Sequence, residues 1–225
     1  MSAAALQHQF ASLLAGPLTW QDRPQTELVP TGIPEIDAAT GGLPRGALTE
    51  IVGPASSGRT TMLHSILARA ALRQETCALV DAADAFCPHD AARAGAALDR
   101  LLWVRCAHNA EHALKATDLL IQGGGFGLVV LDLGDTPAAT ARRISLTSWF
   151  RLRRAVEPTP TVLVSVSRQS NAKTCASLIL ECEREGVAWS GAPGTSRLLR
   201  GMRIQVVRRK PARAVTARFQ AKALE

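Results

Sequence analysis

Short apolar runs alternate with stretches of helical period along most of the chain. Leu48–Val52 reads as a strand, and a Gly- and Ser-rich turn leads from it into a helix over roughly Thr60–Arg73. Cys77–Val80 is strand-like again. A helix around Asp90–Leu98 precedes the apolar run Leu101–Val104, and a helix over about Asn109–Gln122 stops at Gly123-Gly124-Gly125. Leu128–Leu131 is a short β-branched run. Thr136-Pro137 offers a capping hydroxyl and a first-turn proline, which predicts one helix from there to about Val156. Pro158 and Pro160 precede the strand Val162–Val166. The pattern then changes to short β-rich runs at Ser177–Cys182, Val187–Trp189 and Met202–Val207.

Wholly apolar strands that alternate with helices predict an α/β fold, a central mostly parallel sheet flanked by helices. The late runs predict an antiparallel edge. Residues 1–30 read as a separate arm. Leu6, Phe10, Leu13 and Leu14 fall at helical spacing before Gly16-Pro17, and a polar connector runs from Gln21 to Pro30. The expected organisation is thus an arm at 1–30, a core at 31–207 and a basic tail at 208–225.

Composition sharpens this picture. The 225 residues are 47 % hydrophobic and 20 % charged, so a sizeable core can form. Aromatics are 4 % with no Tyr, which argues against a surface built on base stacking and leaves aliphatic side chains to fill the core. The net charge is +7 but is unevenly spread. From Arg197 to Glu225 nine basic residues stand against one acid, while the residues before Arg197 carry 17 basic and 18 acidic side chains. The excess points to an acidic partner met by the C-terminal end, with Arg208, Arg209, Lys210, Arg213 and Arg218 as its contacts. Weak, salt-sensitive, sequence-independent DNA binding is expected there. The five cysteines are scattered, form no C-x-x-C pair and read as reduced thiols. The absence of a leader pattern and of a membrane-length apolar stretch predicts a cytoplasmic protein with no membrane contact.

Gly53-Pro54-Ala55-Ser56-Ser57-Gly58-Arg59-Thr60-Thr61 carries the strongest chemical signal. It matches the phosphate-binding pattern G-x-x-x-x-G-K-[ST] except for Arg59 at the lysine position, and it sits between a strand and a helix as that pattern requires. Two glycines let successive N–H groups point at phosphate oxygens, and the helix N-terminus adds positive potential. Gly53, Ser56, Ser57, Gly58, Arg59, Thr60 and Thr61 are therefore candidate nucleotide contacts. Thr60 and Asp132, which ends the run Leu128–Leu131, are candidate Mg²⁺ ligands. Arg59 keeps the charge, but its planar, longer guanidinium cannot simply replace an ammonium between phosphates. Two readings stand: a loop that binds ATP with Mg²⁺, and a loop retained without nucleotide turnover.

The stretch from Val29-Pro30-Thr31-Gly32-Ile33-Pro34-Glu35-Ile36-Asp37 through Gly41-Gly42-Leu43-Pro44-Arg45-Gly46 into Glu50-Ile51-Val52-Gly53-Pro54 resembles the RecA recombinase family. The resemblance continues through the loop, through Thr76–Ala82 and to Asp132, and loosely to Met202–Lys210. It implies a RecA-like P-loop core over roughly residues 28–211. It also implies three altered positions. Ala83 stands where recombinases carry the glutamate that activates the attacking water, Arg168 where they carry a sensing glutamine, and Arg59 replaces the lysine. The spans after Asp132 and after Arg168 leave little room for DNA-contacting loops. Such truncated cores resemble the ImuA family. That resemblance implies an accessory role in SOS-induced mutagenic translesion DNA synthesis beside ImuB, an error-prone DnaE-type polymerase and RecA, with at most weak ATPase activity. An active DNA-dependent ATPase that forms filaments on single-stranded DNA and a RecA-binding inhibitor of recombination are the alternatives, and a homo-oligomer stays open.

Two other patterns have simpler readings. His108-Asn109-Ala110-Glu111-His112 matches H-x-x-E-H but lacks an obvious third ligand, so a helix start is expected and no zinc. Arg142, Arg143, Arg151, Arg153 and Arg154 beside Trp149 and Phe150 read as a solvated helix face, with a phosphate- or partner-binding face as the alternative. Trp103, Trp149 and Trp189 lie in apolar contexts and are expected in the core.

Overall fold

A computed structural model describes residues 26–191, 196–211 and 213–222. The helical pattern at Leu6–Leu14 and the first half of the connector lie outside those residues. An eight-stranded sheet forms the centre, built from β3 (Ala47–Val52), β4 (Cys77–Asp81), β5 (Leu101–Arg105), β6 (Leu128–Asp132), β7 (Val162–Ser167), β8 (Leu178–Trp189), β9 (Leu199–Lys210) and β10 (Val215–Lys222). Its order is β10-β9-β8-β3-β7-β6-β4-β5. The strands from β5 across to β8 are parallel, whereas β8, β9 and β10 pair antiparallel. Two short strands, β1 (Leu28–Val29) and β2 (Leu43–Pro44), form a separate antiparallel pair. The mostly parallel α/β sheet with an antiparallel edge is therefore present as read.

Helices cover both faces of the parallel part. On one face lie α1 (Pro34–Thr40), α2 (Arg59–Leu72) and α3 (Pro88–Arg93), and on the other α4 (Ala110–Gly123) and α6 (Leu146–Val156), with α5 (Ala138–Arg142) just before α6. Each buried strand feeds both cores. In β6, Leu128 and Val130 pack with Met62, Leu63 and Ile66 of α2, while Val129 and Leu131 join Ala113, Trp149 and Leu152 on the opposite side. Side chains alternate across a strand, so burial on both faces requires an uninterrupted apolar run.

Four sequence expectations change. The helix expected from Thr136 to Val156 is two helices. Pro137 (φ −53°, ψ 133°) stands before α5 rather than inside it, and Ser145 (φ −67°, ψ 148°) leaves helical geometry to cap α6 by accepting from the Ser148 N–H. A serine in the middle of the pattern competes for the backbone in this way. The runs Ser177–Cys182 and Val187–Trp189 belong to one long strand, because backbone pairing with β9 continues through polar Glu183 and Arg184. Both faces of β8 meet solvent beyond Cys182, which removes the need for apolar alternation there and leaves Trp189 50 % exposed rather than in the core. Trp149 is fully buried, and Trp103 is partly buried against the first core.

The fourth change concerns the C-terminus. Residues 208–222 are not a tail on a finished core. Arg208–Lys210 end β9, and Val215–Lys222 form the outer strand, with Ala217, Phe219 and Ala221 buried and Arg218, Gln220 and Lys222 exposed. Strand β10 covers the edge of β9 and packs beneath α1. Phe219→Ala is expected to cost about 3 kcal/mol, as for a buried aromatic truncated to a methyl. Ending the chain at Lys210 is expected to expose the β9 edge and reduce solubility. Urea unfolding and light scattering test both.

Candidate functional site

Strand β3 delivers the glycine-rich loop. At its end Gly53 has φ 154°, and a Cβ there would lie 2.3 Å from the Cys182 carbonyl oxygen on β8. Gly58 has φ 93°, and a Cβ there would lie 2.2 Å from Ile204 Cδ1 on β9. Both positions thus combine an unusual backbone conformation with close approach of a neighbouring strand, the two conditions only glycine meets. Gly58 is the N-cap of α2 and gives no side-chain cap, so the amides of the first turn are left to other acceptors. Ser57 is buried, and its hydroxyl has no partner among the described residues.

The loop borders a cavity of about 350 Å³ walled by Ser56, Ser57, Gly58, Thr60, Thr61, Asp132, Gly134 and Asp135, with Val166 and Met202 supplying apolar wall. All the candidate nucleotide contacts except Gly53 line it, and the two candidate Mg²⁺ ligands, Thr60 and Asp132, face it together. Arg59 is 7 % exposed, and its Nη1 donates to the Gly134 carbonyl at 3.2 Å. Arg168 Nε donates to the same oxygen at 3.3 Å, and its Nη2 lies 3.9 Å from Asp135. Burial lowers the Arg59 pKa against the pull of Asp132 and Asp135. Asp132 accepts the Gly134 N–H at 2.8 Å. Burial, with Asp81 and Asp135 adding to it, pushes the Asp132 carboxyl up to about 6 against the opposing Gly134 amide and Arg59.

The turn after β4 is organised by Asp81. Its buried carboxylate accepts from the N–H groups of Ala83 and Ala85 (both 3.2 Å) and Phe86 (2.9 Å), and from Trp103 Nε1 at 3.4 Å. Ala83 is buried and brings no acid to the cavity. Asp84 adopts φ 55° and turns toward the end of β5, where it meets Arg105 at 3.2 Å and the Ala107 N–H at 3.3 Å. It takes no part in the cavity wall.

Sequence reasoning missed Glu50. This fully buried carboxylate on β3 accepts from Ser170 Oγ at 2.6 Å and from the N–H groups of Asn171 and Ala172 at 2.8 and 2.9 Å. It fastens the loop that begins at Arg168 to the strand that delivers the glycine-rich loop. The signal was present, since an acid inside a strand buried on both faces needs several donors. The H-x-x-E-H pattern has a helix-start role: Asn109 Oδ1 accepts from the N–H groups of Glu111 and His112, and both histidines are exposed.

Most of the C-terminal basic candidates have internal partners. Arg208 donates to the carbonyls of Ala39 and Arg213. Arg209 pairs with Glu181, and Lys210 donates to the carbonyls of Thr174 and Ala176. Arg218 holds Glu185 at 2.7 Å and Gln205 at 3.3 Å. Arg213 is exposed. These side chains tie β8, β9 and β10 to one another, to α1 and to the segment before β8.

The family follows from the chain's similarity to known proteins. The RecA N-terminal domain model matches residues 4–143. The chain belongs to the RecA family. It is 32 % identical to protein RecA of Chloroflexus aurantiacus over 158 residues, covering 63 % of this chain and 45 % of that protein. It is 31 % identical to protein RecA of Leifsonia xyli over 181 residues, covering 73 % and 50 %. Protein RecA of Pseudomonas fluorescens is 40 % identical over 114 residues, covering 50 % and 32 %. The chain thus spans at most about half the length of these RecA relatives. Among its described residues no helix is long and apolar enough to cross a membrane.

Two consequences of this RecA-family site are measurable. The Asp132 carboxyl rises from an ordinary 3.8 to about 6, so the folded state binds more protons than the unfolded state between those values. Stability attached to this group is complete below about pH 4 and lost as pH rises through about 6. Asp132→Asn is therefore expected to stabilise the protein by about 1–3 kcal/mol above pH 7, with the gain vanishing near pH 4 in urea unfolding across that range. Glu50→Gln replaces one acceptor by a donor facing donors. It is expected to cost about 2 kcal/mol and to accelerate hydrogen exchange at the Asn171 and Ala172 amides.

Proposed function

We propose that this chain is an accessory RecA-like protein of SOS-induced mutagenic translesion DNA synthesis. In this reading it acts through contacts with ImuB, an error-prone DnaE-type polymerase and RecA rather than through nucleotide turnover. The observation that carries the reading is the commitment of Arg59 to the Gly134 carbonyl, shared with Arg168. The side chain at the lysine position is folded onto the protein's own backbone instead of being left for a phosphate. Ala83 adds to this, because no carboxylate stands where the resemblance expects the group that activates water. The partner names rest on the resemblance to the ImuA family.

The loop still fits a bound phosphate. Its unusual glycine conformations, the side-chain-free cap of α2 and the unpartnered Ser57 hydroxyl form a donor-lined hollow. ATP would be held by Gly53, Ser56–Thr61 and the cavity wall, with Mg²⁺ on Thr60 and Asp132. Bound Mg²⁺ would neutralise phosphate charge, as it does in phosphoryl-transfer sites generally. Arg59 would have to release Gly134 for this to happen, so nucleotide affinity is low in the native chain.

Nucleotide affinity and ATP turnover of the native chain, Arg59→Lys and Asp132→Ala test the reading. The native chain is expected to show background turnover that Asp132→Ala leaves unchanged, and Arg59→Lys is expected to bind ATP at least about tenfold more tightly, a gain of about 1.4 kcal/mol. Turnover that Asp132→Ala abolishes, or nucleotide-dependent filaments on single-stranded DNA seen by electron microscopy, overturns the proposal in favour of an active ATPase. Co-elution with ImuB and the DnaE-type polymerase separates the accessory role from a plain RecA inhibitor, which would retain RecA alone.

A further inference from the structure

Helix α3 lies in a strap that runs from Phe86 to Arg100 and packs on α2. Both ends of the strap are fixed. The Phe86 N–H donates to Asp81 at 2.9 Å, and Arg100 Nη1 donates to the Gln74 carbonyl at 3.1 Å. Between these ends small residues meet α2. Ala91 is fully buried, and a Cβ on Gly95 would lie 3.4 Å from Ala68 Cβ. No side chain caps the N-terminus of α3, and so short a helix depends on its packing for stability.

The polar group beneath this strap is His64 of α2, which is 8 % exposed. Its ring meets Phe86 edge to face with 6.1 Å between centroids, and Phe86 meets Trp103 in the same way at 5.5 Å. The imidazole Nε2 is buried and has no hydrogen-bond partner among the described residues. A ring held in this way favours the neutral form, because a proton would bring an unpaired N–H and a charge into an aromatic pocket. Burial accordingly lowers the His64 pKa against the attraction of Asp90 on α3. That attraction is shared. The Asp90 side chain is half exposed, and His89 Nδ1 lies 3.8 Å from the same carboxylate and draws on it once protonated. Arg93, the remaining charge on α3, is exposed. Beyond Phe86, Arg105 sits over the Trp103 ring and pairs with Asp84, so its charge is already met. We propose that His64 is an acid-operated release for the strap: protonation of its ring parts α3 from α2 while the sheet stays folded, and so uncovers Phe86 and Ala91. The stability that rests on the neutral ring is complete above the ordinary imidazole value of 6.5 and is lost as pH falls through the lowered one. The device needs neither nucleotide nor partner and stands apart from the accessory role.

Hydrogen exchange read by mass spectrometry tests this on the full chain at pH 7.5 and 5.0, with each rate divided by the intrinsic rate at that pH. The amides of Ala91, Ala94 and Gly95, which donate to strap carbonyls, are expected to lose at least about fivefold in protection at the lower pH. The ceiling there is about thirtyfold, set by an imidazole of ordinary pKa in the opened strap. The amides of Val129–Leu131 in β6 are expected to keep their protection. His64→Leu removes the titrating group and keeps an apolar side chain, so its strap is expected to be equally protected at both pH values. Asp90→Asn removes the acid that favours the charged ring and is expected to deepen the acid loss by about twofold. An equal acid loss in the native and His64→Leu chains overturns the proposal, as does a loss shared by β6. So does a His64 ring that titrates at 6.5 or above in proton NMR of the native chain. A smaller loss in Asp90→Asn than in the native chain also overturns it, since charge on Asp90 rather than on His64 would then govern the strap. The NMR titration and Asp90→Asn decide the matter even where His64→Leu does not fold.

Discussion

Strand β3 has no free side, and the site follows from that constraint. It pairs in parallel with β7 on one edge and β8 on the other, and a helical layer covers each of its faces. Each group it carries is therefore driven to find a partner inside the protein, and of its side chains only the Thr49 hydroxyl lacks one among the described residues. Leu48 and Ile51 find one in the two apolar cores, and Glu50 finds three donors in the loop after β7. Where the strand ends, Gly53 and Gly58 pass so close to β8 and β9 that no side chain can stand there. The antiparallel edge is thus part of the cavity's construction.

From this frame a connected set of contacts reaches across the cavity. Glu50 fixes the loop that starts at Arg168, Arg168 reaches the Gly134 carbonyl, and Arg59 of the glycine-rich loop reaches the same oxygen. Gly134 in turn gives its N–H to Asp132. One dipeptide turn after β6 therefore joins two cations and an acid that a nucleotide site would present to its ligand. Because a carbonyl accepts at most two strong hydrogen bonds, the two guanidinium groups saturate it and neutralise part of the charge around Asp132 and Asp135. The raised Asp132 pKa is the residue of an incomplete compensation: a carboxylate withdrawn from water without a bidentate partner.

Charge shows most clearly how arrangement overrides composition. The basic residues after Arg197 outnumber the acids heavily, yet Arg208, Arg209, Lys210 and Arg218 are engaged with backbone carbonyls or with Glu181 and Glu185 of β8. The period-two pattern Val215, Ala217, Phe219, Ala221 already marks an amphipathic strand. The basic residues Arg218 and Lys222 alternate with those apolar positions, so a charge count over the segment hides its strand pattern. Conversely Arg143, one of an arginine cluster in the sequence, is separated from Arg151, Arg153 and Arg154 because Ser145 breaks the helix and the chain turns.

What the sequence by itself determined is what local chemistry dictates. Unbroken apolar strands demanded a sheet covered on both faces, and the glycine spacing after Leu48–Val52 demanded a tight strand-to-helix turn that can face phosphate. Arg59 and Ala83 were visible as departures from the RecA pattern for the same reason, since they lie within short motifs. Only the tertiary structure decided what those residues touch. The Arg59–Gly134 contact spans 75 positions and the Glu50 clamp more than 120. A side chain's freedom to meet a ligand depends on the donors and acceptors that folding places beside it. No local pattern of residues encodes that neighbourhood, because it is assembled from strands that become adjacent only when the sheet closes.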